Sequence, residues 1–273
     1  MRVLKAKYRL GDMTAGAFAQ AVRDNPVVLL PLGSHEDHGP HLPMGDYALA
    51  DMLAAQIAEA ATLAGVQTYA APCLPFGVAD FFCSSPGGLA LAPQSFRLVL
   101  GDMIAALLAH GLTKIVLLNG HGGNVPVIHE VSLKVKRETG IIIPSFYLWK
   151  IARQLMEKQL GAGHSARFGH GAEPLLSLSM ALRGEDVLAN ALPPAAPAAA
   201  PAALLGLPVA DFGMLDFQGF SVGAPVEFSE MPQTAIVSVW PLASAALGTQ
   251  VAGALVELAV KFITHFAQAE AIK

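Results

Sequence analysis

A single short run, Ser34-His35-Glu36-Asp37-His38-Gly39-Pro40-His41, sets three imidazoles and two carboxylates directly behind an apolar stretch, Val27 to Leu32. Reversing the chain needs only residues such as Gly39 and Pro40. The acidic and imidazole groups therefore point to metal binding or proton transfer. In extended backbone, residues two apart share a face, which aims Glu36 and His38 at one point and turns Asp37 away. A second apolar stretch, Ile115 to Leu118, leads into Asn119-Gly120-His121-Gly122-Gly123-Asn124. The glycines there permit close backbone approach around His121. Asp46 is either a further oxygen donor or the N-cap of a helix that begins beside it. In a third group, His164, His170 and Glu173, the last two are three residues apart and share a face if a helix starts there. His164 and His129, taken singly, read as ordinary surface or core histidines. The combined nitrogen and oxygen donors suit zinc, manganese or iron.

Such side chains converge only if the strands that precede them lie side by side. Short apolar runs alternate with segments of helical period, which predicts an α/β domain built around a mostly parallel sheet. The expected strands are Val27 to Leu32, Thr68 to Cys73, Lys114 to Asn119, Ile141 to Tyr147 and Ala235 to Trp240. Helices are predicted over Asp46 to Ala64, Pro93 to His110, Val125 to Thr139, Ile151 to Leu160, Glu173 to Leu182 and Ser244 to Ala267. In open α/β sheets ligands bind outside the carboxyl ends of the strands, where the Glu36–His38 pair and His121 both fall. A Pro/Ala-rich excursion at about 191–208 interrupts the pattern. Too little regular structure is predicted beyond it for a separate core, so residues 1–273 are expected to form one domain.

Composition narrows the class of function. The chain has 273 residues, 53% of them hydrophobic, and a formal net charge of -4 without runs of like charge. That leaves no footprint for nucleic acid or an anionic membrane, and favours a small-molecule partner. Mean hydropathy is +0.50, but the uncharged stretches are Ala-rich and broken by proline, which makes poor spans. No secretory signal is legible at the start, and the two cysteines, Cys73 and Cys83, fit neither a redox pair nor a zinc knuckle. A cytoplasmic protein is expected.

Gly33-Ser34-His35-Glu36-Asp37-His38-Gly39-Pro40-His41-Leu42-Pro43, then Asn119-Gly120-His121-Gly122-Gly123-Asn124, then His170-Gly171-Ala172-Glu173 with Ser177, resemble the signatures of the creatininase (creatinine amidohydrolase) family. Ser85-Pro86-Gly87-Gly88 is a weaker match, and Trp240-Pro241-Leu242-Ala243-Ser244 also fits. The resemblance implies a three-layer α/β/α fold, two divalent metal ions, and hydrolysis of a non-peptide or cyclic amide C–N bond. By position, Glu36, Asp46 and His121 would hold one ion and His38 the other, with Asp46 bridging. Glu173 would join the second ion's ligands or support them, and His170 would transfer the proton to the leaving nitrogen. A homo-oligomer, a hexamer by resemblance, is implied.

Three positions depart from the family pattern. The interval from Glu36 to Asp46 is one residue short. Gly123 stands where creatininase has a carboxylate, and Leu175 where many relatives have Glu. Creatinine itself is therefore not the expected substrate. The chemistry expected is attack by a metal-bridging hydroxide, with the tetrahedral charge held against metal. A metallopeptidase or deformylase acting on a small peptide or formamide is the alternative, as is a metal-binding relative without catalysis. Zinc is the first choice of ion, manganese or iron the others.

Overall fold

The computed structural model describes residues 8–82, 86–161, 168–188, 191, 203–211, 213–227, 230 and 243–269. Two strands form its centre, β1 (Val27–Leu32) and β3 (Ile115–Asn119), and every residue of both is buried. β2 (Thr68–Ala70) and β4 (Ser145–Tyr147) flank them in the order β2-β1-β3-β4, all parallel. Parallel strands covered on both faces read as continuous apolar runs, because each side chain has a core to enter. The period of two sorts them. Val27, Leu29, Val116 and Leu118 enter one cluster, while Val28, Leu30, Leu32, Ile115 and Leu117 enter the other.

The first cluster is closed by α2 (Tyr47–Leu63), α5 (Leu148–Leu160), α6 (Leu175–Leu182) and α7 (Ala245–Gln268). The second is closed by α3 (Pro93–Ala109) and α4 (Val125–Thr139). This is the three-layer α/β/α arrangement the sequence predicts. Leu30 is completely buried, and its truncation to alanine would cost about 2–5 kcal/mol through lost transfer energy and a cavity.

α7 is 24 residues long and apolar enough by composition to cross a membrane. Here it is a core helix: Val251, Leu255, Ala259 and Ile263 recur every four residues and are all buried. A Cβ on Gly248 would run into the Ser177 carbonyl, so glycine there lets α7 lie against α6.

Four differences from the sequence reading stand out. A short helix, α1 (Ala15–Ala21), precedes β1 and had no apolar stripe to announce it, since none of its residues is buried. β2 and β4 keep only part of their expected spans, and α5 begins at Leu148 rather than Ile151. α6 begins at Leu175, so His170 and Glu173 stand before it in a turn, not on a helical face. Last, the excursion runs into a second sheet of four antiparallel strands, β5 (Ala203–Leu204), β6 (Leu207–Asp211), β7 (Met214–Phe217) and β8 (Phe220–Gly223). Two of its turns, Leu205-Gly206 and Gln218-Gly219, have both residues at positive φ, as two-residue hairpins favour. The expected strand Ala235 to Trp240, together with His164, Cys83 and Ser85, lies outside the described residues.

Candidate metal centre

The loops after β1 and β3 meet at the carboxyl edge of the sheet. The β1 loop doubles back because Gly45 N donates to the Glu36 carbonyl at 2.9 Å, which carries Asp46 beside Glu36. Gly45 has φ +80°, and a Cβ on it would collide with the Ser34 carbonyl, so the shortened interval closes only with glycine there. Asp46 occupies the N-cap position of α2 but makes no capping hydrogen bond. Its Oδ1 accepts from Ser34 N at 2.8 Å and Ser34 Oγ at 3.3 Å, and its Oδ2 receives Trp149 Nε1 at 3.4 Å.

The two asparagines of the second motif join the loops. Asn119 Nδ2 donates to the His121 carbonyl at 2.6 Å, and His121 N donates to Asn119 Oδ1 at 3.1 Å. Asn124 Oδ1 accepts from Val78 N at 2.8 Å, while its Nδ2 donates to Gly33 O at 3.2 Å and Asn119 Oδ1 at 3.1 Å. Sequence reasoning gave these asparagines no role. Their signal was only that both bracket His121.

Two groups of donor atoms result, each within 4.8 Å of one another: Glu36, Asp46 and His121, and Glu36, His38 and His170. Glu36 belongs to both, and Asp46 and His38 share neither. Glu36, His38, Asp46 and His121 are 2–3% exposed. The His121 side chain turns Nδ1 toward Glu36 Oε2 at 3.1 Å and Asp46 Oδ2 at 3.6 Å. Its Nε2 lies 2.8 Å from the Val78 carbonyl. A carbonyl only accepts, so Nε2 carries a hydrogen, and Nδ1, once it gives up its own proton, presents a lone pair beside two carboxylates. Glu36 Oε2 has no hydrogen bond of good geometry despite that proximity. Lone pairs converging in a buried space require a cation between them, a proton or a metal ion.

The electrostatics say the same. Burial pushes the Glu36 carboxyl up, but the hydrogen bonds and charges of His121 and His38 outweigh it and hold it well below the usual carboxylate range. Burial would lower His121, yet Asp46 and Glu36 raise it to about 10. Asp46 is raised, chiefly by burial and against the hydrogen bond from His121.

In the second group His38 Nε2 stands 3.2 Å from Glu36 Oε1. His170 gives its Nε2 hydrogen to the Asp37 carbonyl and turns Nδ1 toward Glu36 Oε1 at 4.0 Å. Its side chain is 15% exposed, it packs on Phe82 with centroids 4.6 Å apart, and burial with the neighbouring His38 pushes it down to about 4. Glu173 lies in neither group. It is 1% exposed and accepts from Ser177 Oγ at 2.6 Å and Ser177 N at 3.1 Å. Ser177 Oγ also receives Ser244 N at 3.2 Å, which ties the start of α7 to this wall. His41 Nε2 donates to the Gly171 carbonyl at 2.9 Å, which ties the β1 loop to the turn that carries His170.

Gly123 lies against the Val78 carbonyl. A Cβ on it would overlap that oxygen and approach His121 Nε2 to 2.7 Å. The carboxylate that the resemblance leads one to look for has no room here. The groups open into a cavity of about 630 Å³ whose walls include Phe81, Phe82, Trp149 and Phe168. Phe76, which lies near Phe81 and Phe82 in the sequence, is not among its lining residues. Tyr147, Lys150, Arg153 and Phe168 are, and the reading from sequence missed them.

The fold and site together define an α/β/α protein with a carboxylate-and-imidazole centre at the carboxyl edge of a parallel sheet. A family model described as creatinine amidohydrolase matches residues 11–263, and the chain belongs to the creatininase family. It is 28% identical over 173 residues to 3-dehydro-scyllo-inosose hydrolase of Thermotoga maritima, covering 62% of this chain and 54% of that protein. It is also 28% identical over 122 residues to the mycofactocin precursor peptide peptidase of Mycobacterium tuberculosis, covering 42% of this chain and 48% of that one. The chain thus spans about half the length of these curated relatives. A crystal structure of creatinine amidohydrolase superposes with a TM-score of 0.74 at 20% identity, covering 97% of this chain and 100% of that one. A manganese form of creatininase gives 0.72 at 23%, covering 96% and 99%. At these identities the likeness establishes the fold.

Proposed function

We propose that the protein is a metal-dependent amidohydrolase that splits the C–N bond of a small amide. The observation that carries this is His121 Nδ1, aimed at two buried carboxylates while the other ring nitrogen is committed to the Val78 carbonyl. Glu36, Asp46 and His121 would hold the first divalent ion, and Glu36 with His38 would hold a second, weaker one. The weaker binding follows from a single shared carboxylate where the first group has two. Zinc is the preferred ion and manganese or iron the alternatives, in line with the zinc and manganese forms among the structural neighbours.

When bound, such an ion lowers the pKa of coordinated water and polarises a carbonyl oxygen. The chain supplies the rest. His170 lines the cavity, its pKa pushed down to about 4 keeps it neutral at pH 7, and it takes the proton from the attacking water. It then returns that proton to the amide nitrogen as the C–N bond breaks, giving carboxylic acid and amine. Glu36, 4.0 Å away, favours the imidazolium formed in between. Glu173 fixes the turn that carries His170 through Ser177. Phe81, Phe82 and Trp149 limit water beside the reacting atoms.

A short-peptide amide is a second reading of the substrate, favoured by a cavity of about 630 Å³ that exceeds the needs of one small ring. A single domain is supported by α7 packing into the same core cluster as β1 and β3, and a cytoplasmic setting by the free Cys73 among the described residues. Assembly into a homo-oligomer is supported by Leu205, Phe217 and Phe220 on the antiparallel sheet, 91%, 48% and 74% exposed. Light scattering on the purified protein reads its mass directly. The function is tested by loading the protein with zinc, measuring metal by elemental analysis, and offering lactams, ureides, formamides and short peptides. Two bound ions with no amide turned over would sink the hydrolase reading.

A further inference from the structure

The ligand groups account for one end of the cavity and leave its α5 side unexplained. Lys150 and Arg153 both line it. Three residues apart on one helix, they share a face, while Leu148, Trp149, Ala152 and Met156 form the buried face of α5. Lys150 is exposed and has no ion pair or hydrogen bond among the described residues. It sits in the first turn of the helix, which contains no acidic residue, where the helix dipole disfavours a cation. Arg153 is held differently. Its Nε donates to Glu157 Oε1 at 2.9 Å and its guanidinium carbon lies 4.7 Å over the Phe168 ring. This fixes the plane of the fork and leaves both Nη atoms without a hydrogen bond among the described residues.

The helix is also locked to the metal-ligand groups. Trp149, the residue before Lys150, donates to the Gly120 carbonyl and reaches Asp46 Oδ2. The two cations therefore stand in a set position relative to the reacting atoms. The fixed negative charges of the cavity belong to Glu36, Asp46 and Glu173, and the fixed positive ones to Lys150 and Arg153.

We infer that the substrate is an amide bearing a carboxylate, which Lys150 and Arg153 bind while the amide lies at Glu36 and His121. The inference rests on the amidohydrolase reading of the same cavity. It is a specificity assignment, separable from catalysis.

The test uses zinc-loaded protein and two probes, the monoamide of glutaric acid and the neutral glutaramide, with binding followed by calorimetry. The ratio of their affinities should favour the monoamide and fall about tenfold in Lys150→Glu, the loss of one charge-assisted contact. Lys150→Arg should restore it. Lys158→Glu, the same charge change on the helix outside the cavity, should leave the ratio in place. Equal ratios in Lys150→Glu and wild type overturn the proposal, as does failure of the monoamide to bind up to about 10 mM. If the ratio shifts as stated but no amide is hydrolysed, the carboxylate site stands and the hydrolase reading falls. Hydrolysis of amides with an unchanged ratio removes the carboxylate site alone.

Discussion

The two donor groups share Glu36 but are built in opposite ways. Around His121 every partner is fixed: the Val78 carbonyl sets the ring, Ser34 and Trp149 hold Asp46, and Asn119 and Asn124 join the loops beneath. Around His170 the Asp37 carbonyl takes the ring hydrogen, His38 and Phe82 pack against the ring, and the side chain is 15% exposed beside the cavity. A ligand is better held rigid and a proton carrier better left reachable, so the contrast separates binding from turnover within one site.

The most damaging way to probe that contrast is His121→Ala. It removes the Nδ1 donor, and bound metal and nearly all activity should be lost, a fall of at least about a thousandfold in kcat/KM; full metal content by elemental analysis would show that His121 is no ligand. His170→Ala should keep the ion at Glu36, Asp46 and His121 and lower kcat about 10²–10⁴-fold. Loss of that ion as well would erase the distinction between the groups.

A third probe is the pH dependence of zinc binding. His121 is raised to about 10 in the metal-free protein, so the ion must displace a proton below that pH. Affinity should rise about tenfold per unit between pH 6 and 8, with proton release seen by calorimetry in buffers of different ionisation enthalpy. The sign for stability is the reverse. The raised pKa stabilises the metal-free fold fully below the ordinary 6.5 and ceases to do so as pH rises through about 10. Smallest is Gly123→Glu, which meets the Val78 carbonyl. It should add no zinc and cost about 1–3 kcal/mol of stability, read as a lower Tm. A gain in zinc stoichiometry would mean that the second group lacks only a carboxylate.

What could be read in the sequence follows the same division. β1 and β3 were legible because both their faces are buried, which leaves a run of apolar residues with no polar interruption. Glu36, His38 and His121 were legible because polar groups directly after such runs stand out. The backbone partners were not. Val78 acts through its carbonyl, which any residue type would offer, so nothing in residue 78 announces it. Lys150 and Arg153 are residue types found on any solvated helix face, so nothing in them announces a cavity. The antiparallel sheet escaped notice because its strands have two to five residues and, among the described residues, a buried core of Val209, Leu215 and Val226, with apolar residues left outside. Its two positive-φ turns were the available signal.

The bond from Ser244 N to Ser177 Oγ bears on how the protein is made. Ser177 holds Glu173, and Glu173 belongs to the turn that carries His170. During synthesis the sheet and both ligand-bearing loops leave the ribosome long before residue 244, yet this wall of the cavity stays unbraced until α7 has emerged and docked against α6. A nascent chain halted between those points would carry the residues that take up an ion while the wall that positions the proton carrier is still missing its last support.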